Sequence, residues 1–345
     1  SNNYLYKGMF ELIINLHKNG YKLAIATGKP QKEAEKIIKF FKLDKYFDII
    51  LGFQHNEKLF NKSDLIKKII QPNEKALMIG DRKYDIEAAI ESNIDSALVL
   101  YGYCPQDEIE SLNPTYRIAE IDDFYKLFNI PKTMLSGFFI SLEGNDGTGK
   151  TTQSKLLFER LKKLGLDCIA TREPGGCPIS EKIRKLLLDN ENANMHKITE
   201  ALLFAAARAQ HVHEVIKPNL EQNKIVISER FVDSSLAYQG GGHGLGEEFV
   251  LEINKPAIDN CLPNITVFLK VDYKTGLDRR EKETGKDRIE VYADDFHSKA
   301  QRSFEKLEKL YSNRYYPIIC DTSVEEIHER VVSGVVDKYV KEVLN

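Results

Sequence analysis

Residues 143–152, Glu-Gly-Asn-Asp-Gly-Thr-Gly-Lys-Thr-Thr, restrict the fold of this chain more than any other stretch. Gly144, Gly149, Lys150 and Thr151 satisfy G-x-x-x-x-G-K-[ST], whose backbone N–H groups wrap phosphate, whose Lys reaches the β- and γ-phosphates and whose hydroxyl ligates Mg²⁺. Glycines let the backbone curl around an anion, and the helix that follows aims its N-terminal dipole at the same phosphates. With Gly at roughly 7% of residues, a chance match in a chain of this size is on the order of 1%. The context is the required one: Phe138 to Leu142 read as a buried strand, and Gln153 to Leu164 carry apolar residues at helical spacing. The chain is therefore expected to bind nucleotide phosphate at the end of a parallel strand.

The 345 residues suffice for two domains with substantial cores. A net charge of −3 gives no sign of a nucleic-acid or membrane surface, and no apolar run approaches the roughly 20 residues of a membrane span. Cys104, Cys168, Cys177, Cys261 and Cys320 form no C-x-x-C pair, which fits free thiols in a reducing cytosol better than disulfides or a zinc site. No signal-peptide pattern opens the sequence, so a cytoplasmic location is expected; the opening Ser-Asn-Asn, without Met, need not be a natural start. A seam is expected at 131–136, punctuated by Pro131 and Gly137, separating a domain over 1–130 from another over 137–345. Met134 stands where an independent second protein would begin, which points to a fusion.

After the loop, short apolar runs at Cys168 to Thr171, Ile225 to Ser228 and Ile265 to Leu269 alternate with long helical patterns such as Thr199 to Ile216. That order predicts a parallel sheet with helices on both faces and binding at the carboxyl ends of its strands. Charged motifs fall at those ends: Thr171-Arg172-Glu173-Pro174-Gly175-Gly176, Phe204-Ala-Ala-Ala-Arg208, Glu229-Arg230-Phe231, and Asp233-Ser-Ser235-Leu-Ala-Tyr-Gln239-Gly-Gly-Gly242. With the loop, this set in this order resembles the thymidylate kinase family from 137 to the end. Phe204 and Arg208, at i and i+4 on one helix face, can grip a planar pyrimidine between an aromatic plane and a guanidinium fork. Gln239 offers both a donor and an acceptor to a base edge. Arg172, Arg184 and Arg230 are candidate clamps for a phosphate dianion.

The resemblance implies ATP-dependent phosphorylation of dTMP to dTDP, with Mg²⁺ as cofactor and ATP as co-substrate. It implies that Gly144, Asn145, Gly147, Thr148, Gly149, Lys150, Thr151 and Thr152 contact ATP. It implies that Asp146, Arg172, Arg184, Phe204, Arg208, Arg230, Ser235 and Gln239 contact dTMP: Phe204 stacks on thymine, Arg208 bonds its O4, and Asp146 faces the 3′-hydroxyl. Thr151 and Glu229 would serve the metal, Glu229 standing where the family more often has Asp. Members with no basic residue after the loop acid supply the catalytic cation from a lid; that position is Gly147 here, and the basic, flexible stretch 276–290 reads as the lid. Arg280, Lys282 and Lys286 are its candidates, beside Lys150 and Arg230 as catalytic groups. The acceptor phosphate is already ionised and needs no general base. A homodimer through this half is also implied, with nucleotides as the partners and neither nucleic acid nor membrane.

Upstream, Leu23 to Thr27 reads as a strand ending Ala-Thr-Gly-Lys-Pro, and Ala76-Leu-Met-Ile-Gly80-Asp81-Arg-Lys-Tyr-Asp85 as another, with Asn61-Lys62-Ser63 between them. This order resembles the haloacid dehalogenase superfamily across 4–128, a Rossmann-like fold, and implies that Thr27, Lys62, Asp81 and Asp85 are remnants of a phosphatase site. The Asp-x-Asp nucleophile of that superfamily does not occur between Ser1 and Gly137. The half is thus expected to be a partial domain, either cut short or without catalysis, with sheet edges to be covered. Two further readings compete: a phosphohydrolase with an auxiliary kinase half, and a nucleotide-binding regulatory fusion.

Overall fold

A computed structural model of the protein describes residues 3–53, 61–71, 73–103, 105–132, 136–284, 288–289 and 291–344, without the side chains of 107 and 279–284. Contacts divide the chain into two compact units, the first built on Ser1–Met134 and the second on Leu135–Lys162 and Leu166–Val343.

The first unit carries β1 (Ala24–Pro30), β2 (Ile49–Phe53), β3 (Leu77–Gly80), β4 (Asp95–Val99) and β5 (Tyr116–Ile118). They do not join into one sheet: β1 pairs with β2, while β3, β4 and β5 form a second sheet, all in parallel. Among the described residues, β1 and β3 therefore each keep an unpaired edge. Burial follows the pairing. In β4 every residue after Asp95 is buried, β1 has no buried residue, and Ile79 on β3 is 38% exposed. The core of this unit packs Leu12 and Leu16 of helix Met9–Lys18 on Ala97, Val99, Ile118 and Phe124. An unpaired strand opens more easily than a doubly paired one. In a hydrogen-exchange experiment the amides of β1 and β3 are expected to exchange well before those of the second unit's central strands, and equal protection would refute this.

The second unit is one parallel sheet of β6 (Phe138–Glu143), β7 (Cys168–Arg172), β8 (Ile225–Glu229), β9 (Ile265–Lys270) and β10 (Tyr315–Ile319), in the order β10-β9-β6-β8-β7. Every residue of β6 is buried, as expected for a central strand covered on both faces. Two polar side chains inside the sheet satisfy one another, Ser141 Oγ and Thr266 Oγ1 at 3.0 Å. Because β6 and β8 are neighbours, the loop after β6 and the Glu229-Arg230 pair at the end of β8 emerge side by side. This is the P-loop kinase architecture read from the alternating pattern. No helix among the described residues is long and apolar enough to cross a membrane. Cys168, Cys177, Cys261 and Cys320 are buried and in no disulfide among the described residues, and Cys104 lies outside the described residues.

Candidate active site

The loop between β6 and helix Lys150–Lys163 needs its glycines for two reasons. Gly144 has φ 141° and Gly147 φ 70°, both in the region that disfavours side chains. A Cβ on Gly147 would also lie 1.9 Å from the carbonyl oxygen of Gly276, in the first turns of helix Tyr273–Thr284. The stretch expected to be a flexible lid thus begins as a helix whose backbone packs on the phosphate loop. The side chains of Arg280 and Lys282 and all of Lys286 lie outside the described residues.

Lys150 folds back on its own loop, donating to Gly144 O (3.0 Å) and Asn145 O (2.6 Å). Burial and the nearby Arg230 guanidinium bring its pKa down to about 8, against the opposing pull of Asp146. Thr151 Oγ1 donates to Glu229 Oε1 at 2.8 Å. A hydroxyl and a carboxylate side by side at a phosphate loop are the hard oxygen donors that Mg²⁺ accepts, and Mg²⁺ completes its shell with water and nucleotide phosphates. Among the described residues no group of three or more His, Cys, Asp or Glu forms a cage.

Arg230 takes a left-handed conformation, φ 66°, unusual for a residue with a side chain. That turn sends its guanidinium back over the loop, where it pairs with Asp146 and donates to Ser234 Oγ (2.9 Å) and Gly144 O (3.2 Å). Tyr238 donates its hydroxyl to the other Asp146 oxygen at 3.0 Å, and Arg230 stacks 5.2 Å from the Tyr238 ring centroid. Burial alone would raise the Asp146 pKa, but Arg230 and Lys150 outweigh it and the net shift is downward. Asp146 is therefore ionised beside the phosphate loop without repelling phosphate across open space. Glu143, at the end of β6, is pushed up to about 7 by burial and by the charge of Asp233.

A cavity of about 680 Å³ opens over the ends of these strands. Asp146, Gly147, Thr148, Gly149, Lys150, Thr151 and Thr152 are on its wall, and so are Arg172, Arg184, Phe204, Arg208, Glu229, Arg230, Ser235 and Gln239. Gly144 and Asn145 are not on its wall; their carbonyls hold Lys150. Arg172 is exposed and paired with Glu181 Oε1 at 2.9 Å, and Arg184 donates to Pro174 O at 2.8 Å. Arg208 is 2% exposed; its Nε donates to Glu173 (2.8 Å), and its other nitrogens to Ser235 Oγ, Asn254 and Phe231 O. Phe204 is half-buried, with a face left to the cavity.

The sequence reading gave no role to Glu173, Tyr238 or Glu200. Glu173 sits in the quoted Arg-Glu-Pro motif and Tyr238 just before Gln239, so adjacency was their signal. Glu200 precedes Phe204 by four residues, one turn earlier on the same helical face. In the first unit, Lys62 and Asp85 pair with one another, Asp85 also accepts from Arg82 N at 3.2 Å, Asp81 accepts from Tyr103 N at 3.0 Å, and Thr27 Oγ1 accepts from Lys29 N at 3.2 Å.

Residues 142–331 match the model of the thymidylate kinase family, over half of the chain. The chain belongs to that family. A thymidylate kinase of Leuconostoc mesenteroides is 53% identical over 179 residues, covering 51% of this chain and 84% of that protein. One from Halothermothrix orenii is 46% identical over 57% of this chain and 95% of that protein. A crystal structure of thymidylate kinase from Ehrlichia chaffeensis is 32% identical, covers 58% of this chain and 99% of that one, and has a TM-score of 0.48. Residues 1–99 match the model of the haloacid dehalogenase-like hydrolases. The thymidylate kinase segment is thus fused behind a second, hydrolase-like segment.

Proposed function

We propose that this chain transfers the γ-phosphoryl group of ATP to the phosphate of dTMP, giving dTDP and ADP. The observation that carries this is the single cavity in which a phosphate loop and a wall of Phe204, Arg208 and Gln239 face one space. Phosphoryl transfer asks a protein for positioning and charge neutralisation, and the cavity supplies both. The loop amides would hold the ATP phosphates while Lys150 exchanges two backbone carbonyls for phosphate oxygens. Thr151 and Glu229 would hold Mg²⁺, which neutralises charge on the transferring group when bound. Arg230, Arg172 and Arg184 would hold the acceptor phosphate, with Asp146 toward its sugar, and Phe204, Arg208, Ser235 and Gln239 the base. Arg280, Lys282 or Lys286 would supply the remaining cation.

We take 1–130 and 137–345 as the two domains, joined through 131–136, in a cytoplasmic protein without nucleic-acid partners. Pairing of two chains through the kinase domain is supported by exposed apolar side chains on two packed helices: Ile179 and Leu186 on Pro178–Leu188, Ile198 and Leu202 on Lys197–His211. Light scattering is expected to return the mass of a dimer, and Leu202→Glu that of a monomer.

A coupled assay with ATP–Mg²⁺ and dTMP, dUMP, dCMP, dGMP or AMP tests the reading; another preferred acceptor would overturn it. The low pKa of Lys150 adds a pH signature. ATP binding favours its charged form, so a free-enzyme pKa of about 8 makes ATP binding take up a proton above that pH. The KM for ATP is expected to rise as pH climbs past 8, and calorimetry in buffers of different ionisation enthalpy to register the uptake.

A further inference from the structure

Glu200 is fully buried behind the base wall, where it accepts hydrogen bonds from Gln239 Nε2 (2.9 Å), Arg288 NH2 (2.7 Å) and the Tyr292 hydroxyl (3.0 Å), and lies 3.0 Å from His243 Nε2. Burial would raise its pKa, but the hydrogen bond and charge of His243, with the hydrogen bonds of Gln239 and Arg288, outweigh that and hold it at about 2. Glu200 is therefore a carboxylate at any working pH, and a carboxylate can only accept.

The consequence falls on Gln239. Its carboxamide has a donor end and an acceptor end, and only the donor end can face Glu200. The carbonyl oxygen is left with no hydrogen bond to any described residue, on a side chain that lines the cavity. Arg208 stands close by: it donates to Ser235, four residues before Gln239, and one of its five N–H groups is not used by the bonds to Glu173, Ser235, Asn254 and Phe231. The wall thus presents a guanidinium donor together with a fixed carbonyl acceptor.

We propose that Glu200 is a positioning residue for base selection: by anchoring the amide end of Gln239 it fixes an acceptor toward the substrate, so that the cavity takes a pyrimidine with a carbonyl beside a ring N–H and refuses one with an amino group beside a bare ring nitrogen. Uracil and thymine have the first edge and cytosine the second. A cytosine would set its N3 lone pair against the Gln239 oxygen and its amino group against Arg208, leaving four buried polar groups without partners. This rests on the dTMP kinase reading and adds to it a cause for the orientation of Gln239. Arg288 lies within the stretch read as a lid and Tyr292 just after it, and both share Glu200, so the same carboxylate ties that part of the chain to the base wall.

The test compares kcat/KM for dTMP, dUMP and dCMP in the wild type, Glu200→Gln and Glu200→Asp. A neutral amide at 200 can donate as well as accept, so Gln239 is free to turn over. Glu200→Gln is expected to lower the dTMP-to-dCMP ratio by about tenfold or more, mainly through KM, and to leave the dTMP-to-dUMP ratio unchanged, because the methyl group is not read by Gln239. Glu200→Asp keeps an anionic acceptor and restores the dTMP-to-dCMP ratio. A merely structural Glu200 would lower all three substrates together, and that result overturns the proposal. If Glu200→Gln does not fold, NMR of the wild type with dTMP bound decides: a thymine N3–H signal protected from exchange supports it, and one exchanging as in free dTMP overturns it. A wild type inactive on dTMP removes the kinase reading itself, whereas an active wild type whose ratio survives Glu200→Gln removes this inference alone.

Discussion

Lys150→Ala is expected to lower kcat for ATP-dependent phosphorylation of dTMP by about 10²- to 10³-fold, the loss typical of removing one preorganised charge-stabilising donor. The substituted side chain makes its bonds within its own loop, to Gly144 O and Asn145 O, so its removal opens no cavity in the sheet. The fold should survive, and circular dichroism with a thermal melt should show it. Because the ammonium acts on charge that grows during transfer, the loss should fall on kcat more than on the KM for dTMP. Turnover unchanged in Lys150→Ala would mean that the phosphate loop is not where the reaction occurs, and the kinase reading would be wrong.

Arg208→Leu is the second large effect, on stability as well as activity. The guanidinium is 2% exposed and its side chain lies against that of Glu173, which is 3% exposed; the pair sits at 2.8 Å. Leucine would leave Glu173 buried with His211 Nδ1 at 3.1 Å as its remaining side-chain partner and would strip donors from Ser235, Asn254 and Phe231 O. Breaking one side of such a pair costs about 3–5 kcal/mol. Urea denaturation of the second unit should show that loss as a lower midpoint at unchanged slope, and dTMP turnover should fall even where the variant is still folded. A midpoint equal to wild type would show that Glu173 finds full compensation elsewhere.

The second unit was legible because its signals are local. The loop, the Phe204–Arg208 spacing and the Glu229-Arg230 pair each sit within a few residues, and the sheet order brings them to one end. The strands ending at Thr27 and at Gly80 were also readable, though nothing local told which strands would pair: among the described residues β1 and β3 lie in separate parallel sheets. What stayed hidden is long-range side-chain pairing. Glu200 meets Arg288 across 88 positions and Gln239 across 39, and no periodicity encodes such a match. Arg288 lies within the stretch read as a lid, yet it is buried and holds Glu200, a role that charge counting along a basic run does not reveal. The left-handed turn at Arg230 was equally silent, since nothing in the residue type announces it.

The contact between Gly147 and Gly276 bears on how such an enzyme can change. A Cβ on either residue would collide with the other's strand of backbone, at 1.9 Å from Gly276 O in one direction and 2.2 Å from Asp146 O in the other. A basic side chain at 147 could therefore not be acquired by one substitution while the helix stays where it is. Placing a cation on the loop would require the loop and the first turns of the helix to part together, a step that neither segment can take alone.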